Sequence, residues 1–258
     1  TRCHDDIGLG YDDYMIQYAG YDAYEHRRFL KNYYSGNDVN SPAKGALFAV
    51  NPKTQDARIS GSLASLCGLE KAIDENDDAA IDLSIKKILL MQAHSFFIGG
   101  VPMLFYGDEL GYTNDYSYLN DPGKVYDNRW MHRPVINWEK NKKIEVTGTI
   151  EQRMFSGTQQ LITIRKKLEV VSDYKNLTWL QPHNIHIAGY LRTHNDSKLY
   201  CVFNFTAEPA FLTWFAFKQH GPVSGKLFDH WSGNEYNVGY DHEYFILEPY
   251  GFYVLEPR

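Results

Sequence analysis

The feature that most constrains the fold is a change of pattern near Asp173. Between Ser62 and Leu168, three stretches have apolar residues at spacings of three and four, which is typical of helices buried on one side, and residues 111–148 are irregular. After Asp173, short apolar stretches alternate with turn residues, which is typical of antiparallel strands. The strand candidates are HIAGYLRT, KLYCVFNFT, AFLTWFAF, KLFDHWSG and EYFILEPYGFYVLEP. The sequence therefore predicts an antiparallel all-β domain over residues 173–258, preceded by an α/β region over 1–172.

The helical region has a recognisable order of elements. Ser62 is a good N-cap for a first helix, a second helix is predicted at about 79–96, and a third at about 149–168. After the second helix, two glycines precede the apolar run VPMLFYG at 101–107. A helix that ends at glycines and leads into a continuous apolar run predicts a strand buried on both faces, as in a parallel α/β sheet.

Residues 11–60 differ in character from the helical region. They are rich in tyrosine, glycine, asparagine and aspartate, and only Tyr24–Tyr34 has a helical appearance. Loops of this length within compact domains usually serve function. We therefore predict a long, partly ordered loop that forms a substrate wall or lid.

Composition and charge exclude several function classes. The net charge is −6 and the basic residues are dispersed, so no nucleic-acid partner is expected. No apolar run reaches the roughly 18 residues of a membrane span, so no membrane association is predicted. Cys3, Cys67 and Cys201 are far apart, which favours reduced thiols and a cytoplasmic location. The ten histidines include no H-x-x-x-H spacing, so neither a metal nor another cofactor is predicted.

Three motifs carry a resemblance to a known family. The segment Gly100–Gly111, GVPMLFYGDELG, resembles the eighth-strand motif of the α-amylase superfamily of retaining glycoside hydrolases and transglycosylases. The segment Arg2–Asp6 resembles the end of the seventh barrel strand in that family. The segment YDNRWMHRP at 126–134, together with ARISGSLASLCGL at 57–69, resembles the amylosucrase branch. The resemblance extends over the whole chain.

This resemblance implies a fold and a place within a larger protein. Residues 1–172 would be the C-terminal part of a (β/α)8 TIM barrel, from the end of strand 7 to helix 8, with 11–60 as a loop subdomain after strand 7. Residues 173–258 would be the C-terminal β domain. In the family, the nucleophile and the acid/base precede the motifs that this chain contains, so we expect a fragment that is inactive alone and whose partner is the missing N-terminal part of the same protein.

The resemblance also implies roles for individual residues. Asp5 would stabilise the transition state by holding the 2- and 3-hydroxyls of the glucosyl ring. His4 would bind the same ring, and Asp6 and Arg58 would contact the fructosyl or acceptor sugar. Arg129 would lie at the rim of a closed donor pocket, within a salt bridge.

The enzyme implied by the resemblance cleaves an α-glucosidic bond by retaining double displacement and transfers glucose to water or to another sugar. Sucrose, maltose, trehalose and α-glucans all remain open as substrates. The adjacent acids Asp108 and Glu109 could suggest a catalytic pair, but in the family they hold the end of the eighth strand. A second hypothesis is a non-catalytic carbohydrate-binding or accessory protein derived from a degenerate barrel.

Overall fold

The computed structural model describes residues 3–173, 175–223 and 225–258, which form two compact units. The first unit comprises the residues up to 85 together with 104–155, and the second comprises 86–103 together with 156–258. Two long helices contribute to both units. The predicted domain boundary at residue 172 stays a prediction. Among the described residues, none of the helices combines the length and the apolar character that a bilayer crossing requires.

The first unit is built from short helices and one hairpin. Its α-helices and strands are α1 (Asp13–Tyr18), α2 (Ala23–Tyr34), β1 (Ala46–Phe48), β2 (Arg58–Ser60), α3 (Leu63–Leu66), α4 (Leu69–Glu75), the first part of α5 (Asp78–Phe97), α6 (Trp138–Asn141) and the first part of α7 (Ile150–Lys167). Segment 11–60 is thus more regular than the sequence predicted. Asp12 and Asp22 explain part of this order, because their carboxylates cap α1 and α2 by accepting backbone N–H groups.

A small apolar cluster holds the start of the described chain against the hairpin. Leu9, Ile59 and Leu66 are buried together. Ile7 and Ile59 exchange backbone N–H···O bonds of 2.7 and 2.9 Å. This bridge fixes the histidine and two aspartates that precede Ile7 beside the end of β2. Thr1 and Arg2, which belong to the predicted end of strand 7, lie outside the described residues.

The segment 101–106 differs from its prediction. It is not a strand, and Val101 and Met103 are 87% and 79% exposed. A strand requires hydrogen-bonded neighbours, and no strand in the described part of the chain pairs with this segment. The apolar run therefore lacks the flanking elements that would bury both of its faces.

The second unit confirms the predicted antiparallel β domain. A six-stranded antiparallel sheet has the order β3-β4-β5-β10-β7-β8, and a second sheet pairs β6 with β9. The strands are β3 (Leu177–Trp179), β4 (Ile187–His194), β5 (Ser197–Asn204), β6 (Ala210–Thr213), β7 (Lys226–Asp229), β8 (Glu235–Asn237), β9 (Tyr244–Leu247) and β10 (Phe252–Pro257). Strands β4 and β5 are buried along most of their length, which accounts for their nearly continuous apolar sequences.

One predicted strand changes to a helix halfway along. AFLTWFAF forms β6 for four residues and then becomes α8 (Trp214–Lys218). Trp214 and Phe217 are buried in the core cluster of this unit, whereas Phe215 is half exposed. A spacing of three between the buried aromatics fits a helical turn, so the strand prediction was wrong over residues 214–217.

Candidate functional site

Arg129 is the centre of a charged cluster in the first unit. It lies in a 3₁₀ helix, Asn128–His132, whose N-cap is Asp127. The Arg129 Nε and Nη2 atoms donate to the two oxygens of Asp127, each at 2.9 Å. The Asp127 carboxylate also accepts the backbone N–H of Arg129 at 3.0 Å. This bidentate pairing fixes the orientation of the guanidinium.

The third nitrogen of this guanidinium, Nη1, contacts the N-terminal motif, His4–Asp6. Arg129 Nη1 donates to Asp5 Oδ1 at 2.8 Å, across 124 residues of sequence. The guanidinium carbon lies 4.6 Å from the centre of the Phe48 ring on β1, within the range of a cation–π contact. Three segments that are distant in sequence therefore meet at one arginine.

Asp6 joins this arginine to a second one. Its side chain is 2% exposed, and Arg58 Nη1 donates to Asp6 Oδ2 at 3.0 Å. The other oxygen, Oδ1, is buried without a hydrogen bond from the described residues and lies 3.7 Å from Arg129 Nη1. The two positive neighbours offset the desolvation of this buried carboxylate.

His4 is held by its backbone. Its carbonyl oxygen accepts from Arg133 Nε at 2.8 Å and lies 3.1 Å from His132 Nε2. Because Gly61 N–H donates to His132 Nδ1 at 3.1 Å, the proton of the neutral His132 ring is on Nε2 and is donated to this carbonyl. The His4 side chain itself is exposed beside Asp5.

The contacts of Arg129 lower the pKa values of Asp5 and Asp127. The hydrogen bond from Arg129, followed by that from the Asp6 backbone N–H, holds the pKa of Asp5 well below its usual range. The same guanidinium lowers the pKa of Asp127. The pKa of Arg129 itself is raised by Asp127 and Asp5. Asp5 is therefore a fixed anion at neutral pH, able to accept hydrogen bonds but not to give a proton.

The structure brings four predicted site residues, Asp5, Asp6, Arg58 and Arg129, into one continuous set of charged contacts, with His4 beside them. Sequence reasoning missed Asp127, which orients Arg129. It also missed the residues that hold His4 and stack on Arg129, namely Phe48, His132 and Arg133. Three of these four lie within YDNRWMHRP, so the motif contained the signal even though only its arginine was singled out.

This arrangement is suited to a neutral polyol. The Asp5 side chain is 46% exposed, so its carboxylate faces solvent while Arg129 fixes its position. A charged acceptor beside an exposed imidazole can bind adjacent hydroxyls of a sugar ring. Asp108 is buried within a separate 3₁₀ helix, Asp108–Leu110, which fits the interpretation that it is structural. The described residues include no cluster of three or more His, Cys, Asp or Glu side chains placed to hold a metal ion.

Comparison with known proteins agrees with this architecture. Residues 177–254 match the family described as "Maltogenic Amylase, C-terminal domain". The fold of the chain resembles solved structures of AmyP in complex with maltose (19% identity, TM-score 0.52, 70% of this chain and 35% of that one) and of the α-amylase from Geobacillus thermoleovorans complexed with acarbose (17% identity, TM-score 0.50, 74% and 36%). An Anoxybacillus α-amylase is similar at 18% identity and a TM-score of 0.51, over 77% of this chain and 36% of that one.

The chain thus spans little more than a third of the length of these structures. At such identities the structural similarity concerns the fold. Residues 177–254 are similar to the C-terminal domain described for maltogenic amylases.

Proposed function

We propose that this chain is the C-terminal part of an α-amylase-family enzyme, amylosucrase-like, that cleaves the α-glucosidic bond of sucrose or of an α-glucan with retention of configuration. The observation that carries the proposal is the contact of Asp5 and Asp6 with Arg129 and Arg58, residues 124 and 52 positions away. The similarity to enzymes solved with maltose and acarbose supports a sugar substrate.

In this proposal Asp5 stabilises the transition state. Retaining glycoside chemistry uses two carboxyl groups about 5 Å apart, one as nucleophile and one as acid/base. The rest of the longer protein would supply those groups. Asp5, held in position by Arg129, accepts hydrogen bonds from the 2- and 3-hydroxyls of the glucosyl ring. These bonds strengthen as positive charge develops at the ring, so they lower the barrier rather than merely binding substrate.

Asp6 and Arg58 would serve the second sugar. Asp6 is buried and the Arg58 side chain is 61% exposed, so the guanidinium is the member of the pair that meets a fructosyl or acceptor hydroxyl. Because their ion pair fixes Arg58, loss of Asp6 would affect acceptor use more than cleavage of the donor. Transfer to a sugar, in preference to hydrolysis, is the outcome we expect from a charged acceptor site.

The decisive experiment is carried out on the longer protein that contains these residues. Asp5→Asn should lower kcat by roughly 100- to 1,000-fold, because a neutral amide cannot hold the developing charge, and each tenfold loss corresponds to about 1.4 kcal/mol. KM for sucrose or maltose should change far less. The matched control is Asp196→Asn, an exposed aspartate in the turn between β4 and β5. Equal rates for Asp5→Asn and the unchanged protein would overturn the proposed role.

A second measurement tests the assignment to an enzyme. The 258-residue chain is incubated with sucrose and with maltose, and the products are followed by proton NMR. We expect sugar binding without turnover. Turnover by this chain would show that its own residues supply the nucleophile and the acid/base, which contradicts the roles proposed for Asp5 and for the rest of the longer protein. A longer protein that binds sugar but does not turn it over would instead support a binding module.

A further inference from the structure

Arg58 also lines a cavity in the first unit. This open cavity of about 470 Å³ is lined by the glycines near Leu9, by helix α2 and by residues 49–58. Its volume falls within the range of about 300–1,000 Å³ that is usual for small-molecule sites. Arg27, Arg28, Lys31 and Arg58 line it, together with the carboxylate of Asp56.

Four of the side chains that line this cavity are cationic and one is anionic, and the cations differ in how firmly they are paired. Lys31 donates to the neutral carbonyl of Gln55 at 2.7 Å and so keeps its full charge. Arg28 pairs with Glu25 one helical turn away, with both side chains more than half exposed. Such surface pairs contribute little, so this guanidinium can turn towards a ligand at small cost. Arg27 pairs with Asp13, whose side chain is 62% exposed and is not among the groups that line the cavity.

Uncharged aromatic, amide and hydroxyl side chains also line the cavity. Tyr24 contributes an aromatic ring, and Asn51, Thr54 and Gln55 contribute amide and hydroxyl groups. An aromatic face with amides and hydroxyls is suited to a sugar, whose ring has apolar faces and whose edge carries hydroxyls. Arginine and lysine together are suited to a phosphomonoester, which carries a charge of about −1.5 to −2 at neutral pH.

We propose that this cavity binds a sugar phosphate, with the phosphoryl group on Lys31, Arg27 and Arg28 and the sugar against Tyr24. This ligand differs from the substrate of the proposed glycosidic cleavage: the charged cluster around Arg129 would bind a neutral sugar, whereas this cavity would bind an anion. Arg58 is shared, since it lines the cavity while paired to Asp6. A bound anion therefore lies next to the site where the second sugar would be held.

The test is a calorimetric titration of the 258-residue chain with three probes: glucose 6-phosphate, inorganic phosphate and glucose. We expect glucose 6-phosphate to bind at least about tenfold more tightly than either of the others, and to lose affinity in roughly 0.5 M NaCl. Phosphate binding as tight as glucose 6-phosphate would reduce the cavity to a simple anion site and overturn the proposal. Equal affinity for glucose and glucose 6-phosphate would overturn it as well.

Lys31→Gln should weaken glucose 6-phosphate binding about tenfold, whereas Lys53→Gln, an exposed lysine of the neighbouring turn, should change it less than about twofold. If Lys31→Gln disturbs folding, as judged by circular dichroism, the exposed Arg28→Gln serves instead. Equal effects of the cavity and control variants would refute the site. Lys31 lies outside the charged cluster around Arg129, so the effect of Lys31→Gln on glucose 6-phosphate binding is independent of turnover measurements on Asp5→Asn.

Discussion

Replacing Arg192 with methionine should destabilise the second unit more than any surface change. Arg192 lies on β4 and is completely buried. Its guanidinium donates to the carbonyl oxygens of Ile98 at 2.7 Å, Phe97 at 3.1 Å and Val170 at 3.4 Å, and also to that of Asp173. Phe97 is the last residue of helix α5 and Ile98 follows it, at the helix end where carbonyl groups have no partner within the helix. The arginine thus acts as a C-cap supplied by a strand.

The magnitude follows from counting these bonds. Three of them are short enough to count fully, and the contact at 3.4 Å counts for little. Each carbonyl that loses its donor in a buried place costs about 1–1.5 kcal/mol after the favourable loss of a buried charge is included. Arg192→Met should therefore cost about 3–4.5 kcal/mol. That is a large share of the roughly 5–15 kcal/mol by which domains are usually stable.

The assay is urea unfolding of the 258-residue chain, followed by tryptophan fluorescence and circular dichroism. The matched control is Lys198→Met on the neighbouring strand β5, a partly exposed cation that should change the free energy of unfolding by less than about 0.5 kcal/mol. Arg192→Lys should fall between the two, because an ammonium group cannot reach all of these carbonyls at once. A loss below about 1 kcal/mol for Arg192→Met would refute the capping role.

Three further predictions follow from single contacts. Arg129→Gln should raise the pKa of Asp5 towards the ordinary value of about 3.9. In the unchanged protein the ion pair stabilises the fold above that pH, and this stabilisation is lost as the pH falls through the depressed pKa of folded Asp5; the variant should lack it. An unchanged midpoint in a carboxyl-carbon NMR titration of Asp5 would contradict this. Cys3, which is exposed, should react with a thiol reagent at least about tenfold faster than the two buried cysteines; equal labelling rates in the native state would be the contrary result. Gly157→Ala should destabilise by about 1–2 kcal/mol despite alanine's higher helix propensity, since the added Cβ would lie 2.7 Å from Leu89; a higher urea midpoint would reverse that inference.

The β domain was predictable because its signals are local. Strand β4, its turn and strand β5 could be read from two short apolar stretches separated by the turn residues HNDS, and the bend at Pro249 and Gly251 separates β9 from β10. The long helices were predicted to within about two residues because caps and apolar spacing mark their ends. Order on this scale is encoded within windows of about ten to twenty residues.

The two wrong strand predictions concern segments whose structure depends on contacts with other parts of the chain. The run at 101–106 is apolar enough for a buried strand, yet the described residues provide no strand that pairs with it. Residues 214–217 have alternating and helical features at once, and packing against the core selects the helix. An apolar segment indicates a preference for burial, and only the surrounding chain determines the form that burial takes.

In the candidate site, too, the sequence predicted individual residues but not the long-range contacts between them. The resemblance indicated His4, Asp5, Asp6, Arg58 and Arg129, but no local pattern could pair groups 52 and 124 residues apart. The pairing requires the Ile7–Ile59 bridge, which sets the N-terminal motif against β2, and such a bridge has no local signature. Long-range contacts are fixed by the packing of the unit as a whole.

The pairing also changes what Asp5 can do. An aspartate is a candidate acid, base or hydroxyl acceptor until its neighbours are known. Arg129 presents three nitrogens to two carboxylates, a geometry that a lysine cannot reproduce, and Asp127 holds that fork in place. An aspartate is ionised at neutral pH even with its ordinary pKa, and Arg129 lowers the pKa of Asp5 further, which favours acceptance of hydroxyl protons over protonation of a leaving group. The contribution of the arginine is therefore mainly orientation, because it holds the Asp5 carboxylate in one position, as the role proposed for Asp5 requires.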